Sequence, residues 1–234
     1  MVHMKEEKHE VNCLAKAQRA IEDYLSIQGL DRDSINRIIL EDLPFLTIWQ
    51  LKPDTPEKID KAEAVIAFAF GFGPAKAGVS YPPEQYHPLL YKPGKTNEAL
   101  ATTIVPFAQK GLEIFAQWEV AEALKPHGIT IPHAQVACPG KEYLGTRGII
   151  EQFLHNGLSQ FGSVLLVAHR HHMYRCREIT KTVFQKRNQP ISIVIPDTPD
   201  MYDPDSIQWW TRSLKDWVTY EVGNRFNNRY QGNL

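Results

Sequence analysis

The sequence predicts an α/β protein built on a doubly wound, mostly parallel sheet, with a helical N-terminal extension and a C-terminal helix. Three observations carry this reading. Four continuously apolar runs, Ala64–Phe70, Leu112–Ala116, Ser163–Ala168 and Ile191–Pro196, have the composition of parallel strands covered on both faces. Helical patterns alternate with them, which is the signature of a sheet wound by crossover helices. The chain of 234 residues, 43% hydrophobic and 23% charged, is long enough to bury one full-sized core.

The elements follow in chain order. Lys5–Gln28 carries Val11, Leu14, Ala15, Ile21, Tyr24 and Leu25 at helical spacing, and Gly29 stops it. Asp33 or Ser34 caps a second helix that runs through Leu43 and ends at Pro44. Trp49–Lys58 reads as a loop, so residues 1–58 form the extension and 59–234 the α/β domain. In that domain Asn97–Gln109 precedes the second strand and Glu119–Pro126 follows it. Thr146–Phe161 precedes the next long strand, and His172–Arg187 follows it. Ile129–Ala137, interrupted by Pro132, suits an edge strand or a loop-strand mixture. In Asp205–Tyr230 the residues Trp209, Trp210, Leu214, Trp217, Val218, Val222 and Phe226 recur at three- and four-residue spacing, as in a long helix packed on the sheet.

Composition excludes several functions. With 26 basic and 27 acidic residues the net charge is −1, which offers no electrostatic footprint for nucleic acid. Cys13, Cys138 and Cys176 are dispersed, against both a disulfide framework and a cysteine-rich zinc module. The polar N-terminus is unlike a secretory signal, and the longest apolar run falls far below the roughly 18 residues of a membrane span. The expectation is a reduced, cytoplasmic protein with no membrane partner.

Ligands of open parallel sheets sit beyond the carboxyl ends of the strands. There the sequence delivers Gly71-Phe72-Gly73-Pro74, Gln117-Trp118-Glu119 and His169-Arg170-His171-His172-Met173-Tyr174-Arg175. Gly71 and Gly73 allow close backbone approach to a ligand, or simply form a turn; neither GxGxxG nor a P-loop is present. In a helix beginning near Arg170, His172 and Arg175 share a face in its first turn. Unpaired amides and a guanidinium fork there favour phosphate or carboxylate. His169, at the strand end, is a second candidate proton carrier beside His172. Glu119 pairs with Arg175 or a lysine, holds a ribose hydroxyl, or acts as a base; the helix dipole alone also favours it. In Pro139–Gly148, Thr146 reads as an N-cap and Tyr143 lies on the rim. His169, His171, His172, His133 and Glu119 are metal-ligand types, but no HExxH is present and adjacent histidines diverge on a helix, so no metal site is assigned.

These residues resemble a known family. Val164–Cys176, an apolar strand running through a turn into His172-Met173-x-Arg175, looks like the signature of the YdcF-like proteins, which include SanA and ElyC. Gly140–Phe153 resembles the family's Asn-Thr-x-Glu-Asn element. Thr146 stands at its threonine, Gly145 replaces the asparagine, and Gly148 and Ile149 replace the Glu-Asn pair. Glu119 falls at the family's glutamate. Ala168-His169 and Ala116-Gln117-Trp118 depart from its usual Thr-Ser and Ser-Gly-Gly. The resemblance spans about Ala64–Pro196 and implies a Rossmann-like three-layer α/β/α sandwich with a polar cleft. It also implies a nucleotide- or S-adenosylmethionine-like ligand.

The functional expectation is a protein that binds a small anionic metabolite, phosphorylated or nucleotide-like, and acts on it as a transferase or hydrolase. Arg175 holds the anion, His172 or His169 moves a proton, and Glu119 orients. Gly71, Gly73, Gln117, Tyr143 and Thr146 complete the site. The alternatives are a non-catalytic binding or interaction module, with the tryptophan-rich tail making a partner contact or homodimer, and a zinc hydrolase.

Overall fold

The structure is a computed structural model, and it describes residues 50–74, 91–131 and 144–230. The chain divides into two compact units, Met1–Ile48 and Trp49–Leu234, and every described residue belongs to the second. The two N-terminal helices expected from the sequence, and Tyr143, His133, Cys13 and Cys138, lie outside the described residues.

Four strands form one all-parallel sheet: β1 (Ala64–Ala67), β2 (Glu113–Ala116), β3 (Ser163–Val167) and β4 (Ser192–Val194), in the order β2-β1-β3-β4. The registers Val65↔Ile114, Val65↔Leu165 and Val164↔Ile193 fix their alignment. The helices are α1 (Pro56–Ile59), α2 (Lys95–Gln109), α3 (Trp118–Leu124), α4 (Thr146–His155), α5 (Met173–Lys186) and α6 (Leu214–Tyr230).

Strand side chains alternate between two cores. Val65, Ala67, Leu165 and Val167 pack with Leu100 and Ile104 of α2, Val120 and Leu124 of α3, and Trp217 of α6. Ala64, Ile66, Val164 and Leu166 pack with Ile149, Ile150 and Phe153 of α4 and Cys176, Ile179 and Val183 of α5. Every residue of β1 is buried, which is why the run shows no polar alternation.

Several element ends differ from the sequence reading. The apolar run to Phe70 leaves the sheet early. The Ala69 N–H donates to Gln117 Oε1 at 2.8 Å, and the Phe70 N–H donates to Asn97 Oδ1 at 2.9 Å. Side chains thus replace the ladder where the chain peels away. Helix α4 stops at His155 rather than Phe161, and Gly157 (φ +106°) turns the chain beyond it. The final helix starts at Leu214, after a 3₁₀ turn at Trp209–Thr211. Ile129–Ile131 form no strand. The segment before α1, read as a loop of the extension, is tied to the end of β4. There the Asp54 N–H donates to Ile195 O at 2.8 Å, and Asp54 Oδ2 accepts the Ile195 N–H at 2.9 Å.

Among the described residues no helix is long and apolar enough to cross a membrane. From β1 the chain winds one way to β2 and then the other way to β3 and β4. The carboxyl ends of β1 and β3 therefore flank a topological switch point, where α/β sheets open a crevice.

Candidate functional site

A cavity of about 550 Å³ opens at that switch point. Ala69, Phe70 and Gly71 enter it from β1, Gln117 from β2, and His172 and Arg175 from the turn and helix after β3. The start of α4, Gly145–Gly148, forms another wall, and Trp210, Trp217 and Tyr220 of the C-terminal segment form a third. No carboxylate lines it among the described residues.

Gly71 has φ +72°, and a Cβ there would collide with the hydroxyls of Thr211 and Ser206. The β1 turn and the C-terminal segment are thus packed through a position only glycine satisfies. Gly71→Ala is expected to lower stability by about 1–3 kcal/mol, measured by urea unfolding; an unchanged midpoint would show the contact to be dispensable. Gly73 does not line the cavity; its N–H donates to Lys92 O at 2.9 Å.

The histidine-rich turn is mostly scaffold. Arg170 donates to Asp197 at 2.7 Å and to the Thr198 carbonyl at 3.2 Å, pinning the chain after β4. The Gln50 amide donates to His171 Nε2 at 3.0 Å, which leaves the ring proton on Nδ1, facing the Tyr202 hydroxyl at 3.1 Å. His169 lies against Phe70, centroids 3.9 Å apart and planes at 9°, and does not line the cavity. Burial, then the neighbouring His171, pulls its pKa down to about 3, so it stays neutral across the physiological range.

His172 does reach the cavity. It is the N-cap of α5, which begins at Met173 rather than near Arg170. The His172 and Met173 N–H groups both donate to His169 O, at 2.8 and 2.9 Å, so they are not free to hold an anion as the sequence suggested. His172 is 7% exposed, and its Nδ1 has no hydrogen-bond partner. Burial, reinforced by Arg175, holds its pKa well below the ordinary histidine value. The neutral imidazole is therefore the favoured form.

Arg175 lines the cavity beside His172, but its Nε donates to Glu221 Oε2 of α6 at 2.8 Å. Glu221 in turn accepts from Arg225 Nε at 3.0 Å, and its side chain is fully buried. Glu119 is buried in the first turn of α3 and does not line the cavity, so the carboxylate at the Arg175 guanidinium is Glu221. Gln117 lines the cavity with its Oε1 engaged by the Ala69 amide.

Thr146 lines the cavity, but Gly145 is the N-cap of α4 and no side chain caps that helix. The first backbone bond runs from Ile149 N to Gly145 O, leaving the Thr146, Arg147 and Gly148 amides without an intrahelical acceptor. Arg147 was not singled out in the sequence. Its Nε and Nη2 are buried and without hydrogen-bond partners. A guanidinium in a first turn that carries no acid opposes the helix dipole, and that misplaced charge is the signal the sequence held.

No family model matches the chain, and no curated protein or solved structure shows significant similarity to it.

Among the described residues no group of three or more histidine, cysteine, aspartate or glutamate side chains converges as metal ligands. Cys176 is free and buried on α5, and burial raises its thiol pKa far above the ordinary value, so no thiolate is on offer. Of the tail tryptophans, Trp217 is 1% exposed and Trp209 is 47% exposed, while Trp210 is half-buried on the cavity wall.

Proposed function

We propose that this chain is a Rossmann-like, three-layer α/β protein of the YdcF-like kind that binds a small phosphorylated anion in the switch-point cavity. The observation that carries the reading is Arg147: buried, unpartnered guanidinium nitrogens beside the uncapped amides of α4. The first-turn amides and the guanidinium carried by that same turn are both electropositive, and a phosphoryl group bound at the start of α4 can accept from both. Helices contributing to cores on alternate sides of each strand support the three-layer reading. His172 and Arg175 at the strand-turn-helix junction support the family reading.

His172 is the group suited to proton transfer, as a neutral imidazole on the cavity wall. A transferase or hydrolase step through it is the catalytic form of this proposal. The second reading is non-catalytic binding, favoured because neither a carboxylate nor a thiol lines the cavity among the described residues.

Arg147→Gln tests the proposal. It is a cleaner probe than Arg175→Ala, which would also break the buried ion pair to Glu221 of α6. Titration calorimetry with inorganic phosphate and ribose 5-phosphate is expected to show an affinity loss of about tenfold or more, with no loss of melting temperature in the free protein. Unaltered affinity, or no binding to the native protein, would remove the anion site.

A further inference from the structure

Resting on the phosphoryl reading above, we infer that the ligand also carries a planar aromatic ring, and that Trp210 and Tyr220 form its subsite. Two of the cavity's walls differ in chemistry. One is the α4 start with Arg147; the other is aromatic and belongs to the C-terminal segment. Trp210 and Tyr220 lie parallel, 4.6 Å apart with planes at 14°. Trp209 meets both edge-on, at 5.8 and 6.3 Å, and so braces the pair. Trp217, 1% exposed with its Nε1 donating to the His171 carbonyl, supplies the structural packing in this region. Trp210 and Tyr220 are instead half-buried and border the open volume. Each ring covers one face of the other, and the ring surface left over on the cavity wall suits a flat ligand, which packs on it without needing a particular hydrogen-bond pattern.

Size and edge chemistry agree. A volume of about 550 Å³ is that of a pocket for one small organic molecule, well beyond a lone phosphate. Gln208, two residues from Trp210 in sequence, also lines the cavity and brings a carboxamide able to donate to and accept from a heteroaromatic edge, while Asn224 on the same wall donates its Nδ2 to the Tyr220 carbonyl at 3.1 Å. The ligand class is a phosphate monoester bearing a heteroaromatic ring. A nucleoside monophosphate and a smaller phosphorylated heterocycle share that chemistry.

Binding of adenosine monophosphate, uridine monophosphate, pyridoxal 5′-phosphate and ribose 5-phosphate to the full chain, followed by tryptophan fluorescence and calorimetry, tests this. At least one ring-bearing ester is expected to bind about tenfold or more tighter than ribose 5-phosphate and to quench fluorescence. Whether a nucleotide or pyridoxal phosphate does so identifies the source of the ring. Trp210→Ala is expected to erase that margin, and Trp210→Phe to retain most of it. The inference fails if ring-bearing esters bind no tighter than ribose 5-phosphate, or if Trp210→Ala weakens all the esters equally. If ribose 5-phosphate binds while the ring gives no advantage, only the ring subsite is lost. If none of the four binds, the phosphoryl reading falls with it.

Discussion

Glu221→Gln is expected to destabilise the protein by about 3–5 kcal/mol, because it removes the negative centre of a buried three-residue charge array. Glu221 lies between Arg175 of α5 and Arg225 of α6, at 2.8 and 3.0 Å, and the three side chains are 0, 12 and 0% exposed respectively. Burial already pulls the Arg225 pKa down, and Glu221 opposes that shift. Glutamine preserves shape and one acceptor but turns its Nε2 donor toward a guanidinium, so the loss combines the missing charge with one broken hydrogen bond. Without the carboxylate, two guanidinium groups repel across the α5–α6 contact in a medium that screens them poorly. Because α6 carries Trp217 and Tyr220, the same change should loosen the aromatic wall and weaken ligand binding. Urea unfolding of Glu221→Gln and of Glu221→Gln with Arg225→Met decides the cause. The second substitution should restore part of the loss by removing one stranded charge. Strictly additive losses would mean that packing, not charge, is what Glu221 supplies.

The array also shows what the sequence could and could not reveal. The four strands were legible because parallel strands buried on both faces must be apolar throughout, and Ala64–Ala67 is fully buried. Their ends were not, because Gln117 and Asn97 take over the ladder at Ala69 and Phe70 from 48 and 27 residues away. The start of α2 was hidden in the same way, since the Lys95 N–H is capped by Asp203 Oδ2, 108 residues on. His172 and Arg175 could be placed from a local strand-turn-helix pattern, and both line the cavity. The carboxylate beside them could not. Glu119 sits where a helix dipole favours an acid, whereas Glu221 arrives from a tail 46 residues beyond Arg175, by packing alone. The run His169-Arg170-His171-His172 illustrates the opposite error. Four polar residues at a strand end read as chemistry, yet one stacks on Phe70, one pins residues 197–198, one is held by Gln50 and Tyr202, and one reaches the cavity.

The protein is expected to lose stability steeply as pH falls below about 6.5, well above the range in which carboxylates titrate. His169, His171 and His172 all have pKa values lowered in the fold, chiefly by burial, with His169 at about 3. A histidine with a depressed native pKa is protonated first in the unfolded chain. The folded state is therefore undiminished above pH 6.5 and is penalised progressively below it, until the native pKa is reached. Each fully buried imidazole contributes about 1.4 kcal/mol per pH unit to that slope. His171, hydrogen-bonded by Gln50 and Tyr202, adds less. His169→Phe separates this from general acid effects, because a phenyl ring keeps a flat partner for Phe70, 3.9 Å away in the native stack, but binds no proton. Its stability at pH 7.5 should drop, since the His171 N–H loses its acceptor at His169 Nδ1. Its slope between pH 6 and 4.5 should nonetheless flatten by about 1.4 kcal/mol per unit relative to the native chain. Urea midpoints across that range measure both quantities, and parallel slopes for the two proteins would show that His169 ionises freely and that its burial does not control its charge.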